Sequence, residues 1–179
     1  LVKTQDEIEI MKKVKHPNCI AFHDMYDCKE KLYIVMEWAR AGDLDAVVKA
    51  ARKARRPLPE ARVMSIFVQC VAALDFMHRH RVLHRDIKPA NIFVTNENKA
   101  VLLDFGAARE VLSKEGNFIR PMYTPGFAAP EMYRRDGSLG PWTDIYSLGA
   151  SIFTCMVGVP PQSANERREN DRMEDYYQQ

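Results

Sequence analysis

The stretch His84-Arg85-Asp86-Ile87-Lys88-Pro89-Ala90-Asn91 decides how the rest of this sequence is read. Within one loop it sets a carboxylate, an ammonium and a carboxamide, Asp86, Lys88 and Asn91, at offsets of two and three. Together these groups can hold a hydroxyl nucleophile, a transferring phosphoryl group and a magnesium ion, so the loop reads as a catalytic loop for phosphoryl transfer.

Upstream, residues 60 to 79 form the clearest predicted helix, with Val63, Met64, Phe67, Val68, Val71, Leu74 and Met77 on one stripe wide enough to meet more than one neighbour. Downstream, Ile92-Phe93-Val94 and Ala100-Val101-Leu102-Leu103 predict a hairpin around the polar turn Asn96-Glu97-Asn98. Asp104-Phe105-Gly106 follows it directly. Asp104 and Asn91 make an oxygen-only set suited to Mg²⁺, which prefers hard ligands and keeps water and phosphate oxygens in its shell. Residues 106 to 128 lack sustained periodicity, and irregular stretches of that length inside a domain usually carry function. Thr143 is read as the cap of a helix carrying Ile145, Leu148, Ile152, Phe153 and Met156, ended by Gly158 and Pro160-Pro161. Ser163 to Gln179 is polar, has little to bury, and is expected to be mobile.

Toward the N-terminus, Ile8, Ile10, Met11 and Val14 predict an amphipathic helix over residues 2 to 14, halted at His16-Pro17-Asn18. Cys19 to Tyr26 and Leu32 to Trp38 read as a hairpin, and Asp43 is placed to cap a short helix from Leu44 to Lys53. There is no internal repeat.

The chain has 179 residues, 46% hydrophobic and 28% charged, which suits one domain or part of one. A formal net charge of +2 is too small to imply a nucleic-acid or membrane partner by long-range attraction. Four scattered cysteines with no CxxC pair suggest neither a zinc site nor a disulfide framework. No apolar run is judged to approach the roughly 20 residues of a membrane span, so no membrane contact and a cytoplasmic location are expected.

Ala129-Pro130-Glu131 closes the irregular stretch and Asp144 stands near the start of the last helix. With HRDIKPAN and DFG before them, these ordered motifs resemble the eukaryotic-type protein kinase family, from about residue 2 to about residue 161. TDIYSLGA with the later Gly-Val-Pro-Pro looks most like bacterial members. The resemblance implies an α+β, two-lobed kinase-like fold. Residues 1–38 would be a partial small lobe, 39–162 a partial, mainly helical large lobe, and 163–179 a polar tail.

It also implies ATP, Mg²⁺ and a protein substrate with a Ser or Thr acceptor. Asp86 would orient the hydroxyl and accept its proton, Lys88 would neutralise the γ-phosphate, and Asn91 and Asp104 would hold the metal. Glu7 would pair with a strand lysine. The backbone of Glu37 and Ala39 would face adenine, with Asp43 near the ribose and Phe93 under the ring. Thr124 would contact the catalytic aspartate, as in Ser/Thr-directed members. Met11, Phe22, His84 and Phe105 match the stacked column that links the lobes, with Asp144 anchoring its base. Arg85 is expected to meet Glu110 or Glu115, or Ser113 if that residue is modified.

The sequence departs from the family in showing no glycine-rich loop and no VAIK-like lysine, and it opens at Leu1. It is therefore expected to be a fragment with impaired activity alone, in which Glu131 lacks its family arginine partner. Two other readings compete: a catalytically silent scaffold of the same fold, and a small-molecule phosphotransferase, which would lack the APE-closed segment. His78-Arg79-His80 is read as a helix-end surface cluster rather than a metal site. Lys49, Arg52, Lys53, Arg55 and Arg56 are read as a solvated helix face, with an acidic substrate or partner as the alternative.

Overall fold

The computed structural model describes residues 2–28, 31–39, 42–103, 109–110, 123–134 and 136–177, with the backbone alone for 2–7, 109–110 and 177. Helix α1, Val2–Lys13, leads into strands β1, Phe22–Cys28, and β2, Lys31–Met36, which form an antiparallel pair. The first expected strand starts later than its apolar run because Cys19 and Ile20 are taken by the core. Ile20 N–H donates to Leu102 C=O at 3.0 Å and Leu102 N–H to Asn18 C=O at 2.8 Å. Trp38, expected at the end of the second strand, lies beyond it and is exposed.

Strand β3, Gly42–Asp43, leads into helix α2, Leu44–Lys53, where Asp43 accepts from the Ala46 N–H at 2.7 Å as the expected cap. Helix α3, Glu60–Arg79, is followed by strand β4, Val82–Leu83, and a 3₁₀ turn at Pro89–Asn91. Strands β5, Ile92–Val94, and β6, Ala100–Leu102, make the expected second hairpin and join β3 in a three-stranded antiparallel sheet ordered β3-β5-β6. Strand β7, Arg109–Glu110, pairs with β4. A 3₁₀ turn at Pro130–Tyr133 precedes helix α4, Pro141–Val157, and helix α5, Ala164–Glu169.

One core joins these pieces: Met11 of α1 and Val14 just after it, Leu44 and Val48 of α2, much of α3, Ile92 and Leu102 of the sheet, and Leu148 of α4. The stripe expected on α3 is out of phase with the one observed. Val63, Phe67, Leu74 and Met77 are buried as expected, but Met64, Val68 and Val71 are exposed, and Ile66, Cys70 and Ala73 fill the buried face. Apolar residues surround this helix on several sides, so only its contacts with β4, β6 and α4 choose the face. By length and composition α3 is also apolar enough to cross a membrane, contrary to the reading above, and seven of its residues pack into the core. Ile66→Ala is expected to cost about 2–5 kcal/mol, whereas Val68→Ala should change stability by less than about 0.5 kcal/mol. Urea denaturation of the two variants checks this, and equal losses would restore the stripe read from sequence.

Two further expectations are corrected. Thr143 does not cap α4: Gly140 is the cap and Pro141 opens the first turn, where its missing N–H does no harm. The segment from Ser163 onward, expected to be mobile, begins with a capping box in which Ser163 and Glu166 satisfy each other's backbone N–H groups. Tyr176 also packs edge-on against Phe153 of α4. Gly158 ends α4 as expected, in the left-handed conformation at φ 87°. Burial pushes the thiols of Cys19, Cys70 and Cys155 up to about 12, which leaves them neutral core residues.

Candidate active site

The short strand β4 and the 3₁₀ turn at Pro89–Asn91 fix the two ends of the loop from His84 to Lys88. Its floor is Asp144, which is fully buried on α4. One carboxylate oxygen of Asp144 accepts the His84 N–H at 2.9 Å and the other accepts the Arg85 N–H at 2.7 Å. Arg85 sits at φ 69°, a left-handed conformation that disfavours any residue with a Cβ. The Asp144 bonds hold the loop in that turn. The His84 ring in turn bonds Leu103 C=O at 2.9 Å, tying the loop to the end of β6.

Above this floor four side chains converge. Lys88 Nζ donates to Asp86 Oδ2 at 2.8 Å and to Thr124 Oγ1 at 3.0 Å. Thr124 Oγ1 donates to Asp86 Oδ1 at 3.3 Å. Asn91 Nδ2 donates to the Asp86 backbone C=O and to Asp86 Oδ2, both at 2.8 Å. The structure therefore brings together Asp86, Lys88, Asn91 and Thr124, although Thr124 is 38 residues from Asp86 in the chain.

The unused capacity of these groups is what chemistry can draw on. Among the described residues, Asp86 Oδ2 takes two short bonds while Oδ1 takes only the longer one from Thr124, so Oδ1 has the open lone pair. An ammonium has three donors, and Lys88 commits two of them here. At 24% and 15% side-chain exposure, Lys88 and Asp86 are largely shielded yet still reached from solvent. This arrangement can position a hydroxyl, receive its proton and offer a positive charge to an anion beside it.

A family model, the protein kinase domain, matches residues 2–179. The chain belongs to the protein kinase family. Within it, CBL-interacting protein kinase 4 of Oryza sativa subsp. japonica is 34% identical over 157 residues, which is 87% of this chain and 34% of that protein. Serine/threonine-protein kinase Nek2 of Homo sapiens is 35% identical over 171 residues, 91% of this chain and 38% of that protein. The chain thus spans about a third of the length of these curated relatives.

Membership in the kinase family implies ATP, a divalent cation and a protein substrate. The donor set of Asn91 fits a hard cation: both Nδ2 protons are spent on Asp86, which leaves the carboxamide oxygen as the atom to face a metal. Asp104, expected as the second metal ligand, and Phe105 of the column lie outside the described residues, as does the side chain of Glu7. So do Ser113, Glu115 and the side chain of Glu110, the expected partners of Arg85.

Of the four residues expected around the nucleotide, two share a sheet. Asp43 and Phe93 are cross-strand partners in the β3–β5 pair, one residue from Asn91–Ile92. The Glu37 N–H is donated to Ala21 C=O at 2.8 Å, so Glu37 has its carbonyl to offer an adenine, while half-buried Ala39 packs against the core. Met11 and His84 of the column are buried and Phe22 packs partly against the same core.

One residue of this kinase site was misread from sequence. His78 is no surface residue: its ring lies 2.8 Å from Asp144 Oδ2, at 14% exposure, beneath the catalytic loop. The readable signal was helical spacing, since His78 follows buried Leu74 by four and buried Cys70 by eight. Thr143 donates from Oγ1 to Glu131 Oε1 at 2.7 Å, which gives Glu131 a hydroxyl partner on α4.

Proposed function

We propose that the protein to which this chain belongs transfers the γ-phosphate of ATP to serine and threonine hydroxyls of protein substrates, using Mg²⁺. The observation that carries this reading is the four-membered cluster of Asp86, Lys88, Asn91 and Thr124. Asp86 Oδ1 orients the incoming hydroxyl and takes its proton as the oxygen attacks phosphorus. Lys88, steadied by Asp86 and Thr124, turns its remaining donor toward the γ-phosphate and offsets the charge spread over its oxygens. Asn91 and Asp104 are the residues that would hold Mg²⁺, whose bound charge neutralises the phosphates. Thr124 keeps the carboxylate and ammonium at fixed separation, and its presence supports Ser/Thr acceptors over tyrosine.

The test is phosphoamino-acid analysis after the full protein meets γ-labelled ATP, Mg²⁺ and a generic protein substrate. Label is expected on Ser and Thr, and Thr124→Val should lower turnover by on the order of 10²-fold through misplacement of Asp86 and Lys88. Label confined to Tyr would overturn the acceptor assignment. No transfer at all would favour the scaffold reading.

A further inference from the structure

The run Arg52-Lys53-Ala54-Arg55-Arg56 sets four cations within five residues, more positive charge than the formal net +2 of the whole chain. It falls where α2 ends. Arg52 and Lys53 lie in the last turn, and Arg55 swings the backbone into the left-handed region at φ 51°. One turn earlier Lys49 pairs with Asp45 at 2.6 Å. Among the described residues none of Arg52, Lys53, Arg55 and Arg56 has an ion-pair partner.

Three of these cations, Arg52, Arg55 and Arg56, line a cleft of about 310 Å³ between the C-terminal ends of α2 and α4. Its floor is apolar: Val48 and Cys155 are buried and Leu58 packs against the core, while Met156 on the rim is 40% exposed. The methylenes of Arg52 lie along Gly158, 3.7–3.8 Å from where a Cβ would stand, so its stem serves as wall while its charge stays at the solvent side. Arginine forks over an apolar floor match carboxylates flanking an apolar side chain.

Resting on the phosphoryl-transfer reading above, we propose that this cleft docks an acidic segment of the protein substrate, with an apolar side chain seated on the floor. Helix α2 packs against both the Pro89–Asn91 turn and strand β5, so the cleft is fixed relative to the catalytic loop. Its 10 residues give a length of about 15 Å. A nucleic acid would use the cations but would have no need of the floor.

The test uses the full protein and a short fluorescein-labelled peptide in which a Leu pair is flanked by Asp and Glu. Anisotropy should report binding that falls at least about tenfold in Arg55→Glu/Arg56→Glu, and likewise when the Leu pair is replaced by Ser. Both arginines are exposed and use only their backbone N–H groups in the structure, and Arg55→Gln/Arg56→Gln supplies a milder second variant. Phosphorylation of a substrate carrying the acidic segment should drop in parallel, while that of a short neutral Ser peptide stays unchanged. Equal binding of the Ser-substituted peptide, or equal displacement by a single-stranded oligonucleotide, would overturn the proposal. Turnover without acidic-peptide binding overturns the cleft alone. Peptide binding without turnover overturns the phosphoryl-transfer reading and supports the cleft.

Discussion

Asp144→Ala is expected to remove about 3–5 kcal/mol of stability, a large share of the roughly 5–15 kcal/mol that holds a domain together. The carboxylate is fully buried and accepts from the backbone of His84 and Arg85 and contacts the ring of His78. Truncation strands the buried His84 N–H and the part-buried Arg85 N–H, and a buried donor left unpaired costs about 1–3 kcal/mol. It also frees Arg85 from its left-handed turn, so the loop that carries Asp86 loses its floor. Asp144→Asn separates the two effects. It keeps the volume and one acceptor oxygen but sets an N–H₂ against one of the backbone donors, so it should cost less stability while still shifting Asp86. Thermal denaturation and turnover, measured on both variants, check this. A stable, fully active Asp144→Ala protein would show that α4 does not anchor the loop.

The catalytic loop was legible because its chemistry lies in one unbroken run. Asp86, Lys88 and Asn91 sit within six residues, and loop closure over so short a distance leaves them little choice but to meet. Thr124 could be placed only through family resemblance, since no local rule brings a residue 38 positions away onto Asp86. Ile8, Ile10 and Met11 of α1 and Val14 just after it are buried as read, because charged residues fill the helix's other faces. The face of α3 was not, because Met64, Val68 and Val71 form as good an apolar row as Ile66, Cys70 and Ala73. There, packing against β4, β6 and α4 decides what periodicity cannot. Pro141 and the Ser163–Glu166 pair were present as start signals and were passed over in favour of composition. His78 was missed for a different reason: its partner Asp144 is 66 residues on, so its polar character looked like exposure.

Asp86→Asn is expected to have the largest effect on activity. The amide can keep the bonds to Lys88, Thr124 and Asn91 only in part, and it has no oxygen basic enough to take a proton, so the loss falls on the chemical step. Lys88 and Asn91 remain in place to meet ATP and its cation. The direct test is ATP-dependent phosphorylation of a Ser/Thr substrate by the full protein and by its Asp86→Asn variant, with nucleotide binding and melting temperature measured beside it. The geometry predicts a fall in turnover of about 10²–10⁴-fold, with nucleotide affinity and fold retained. Equal turnover by the two proteins would contradict the assignment of this cluster as the phosphoryl-transfer centre.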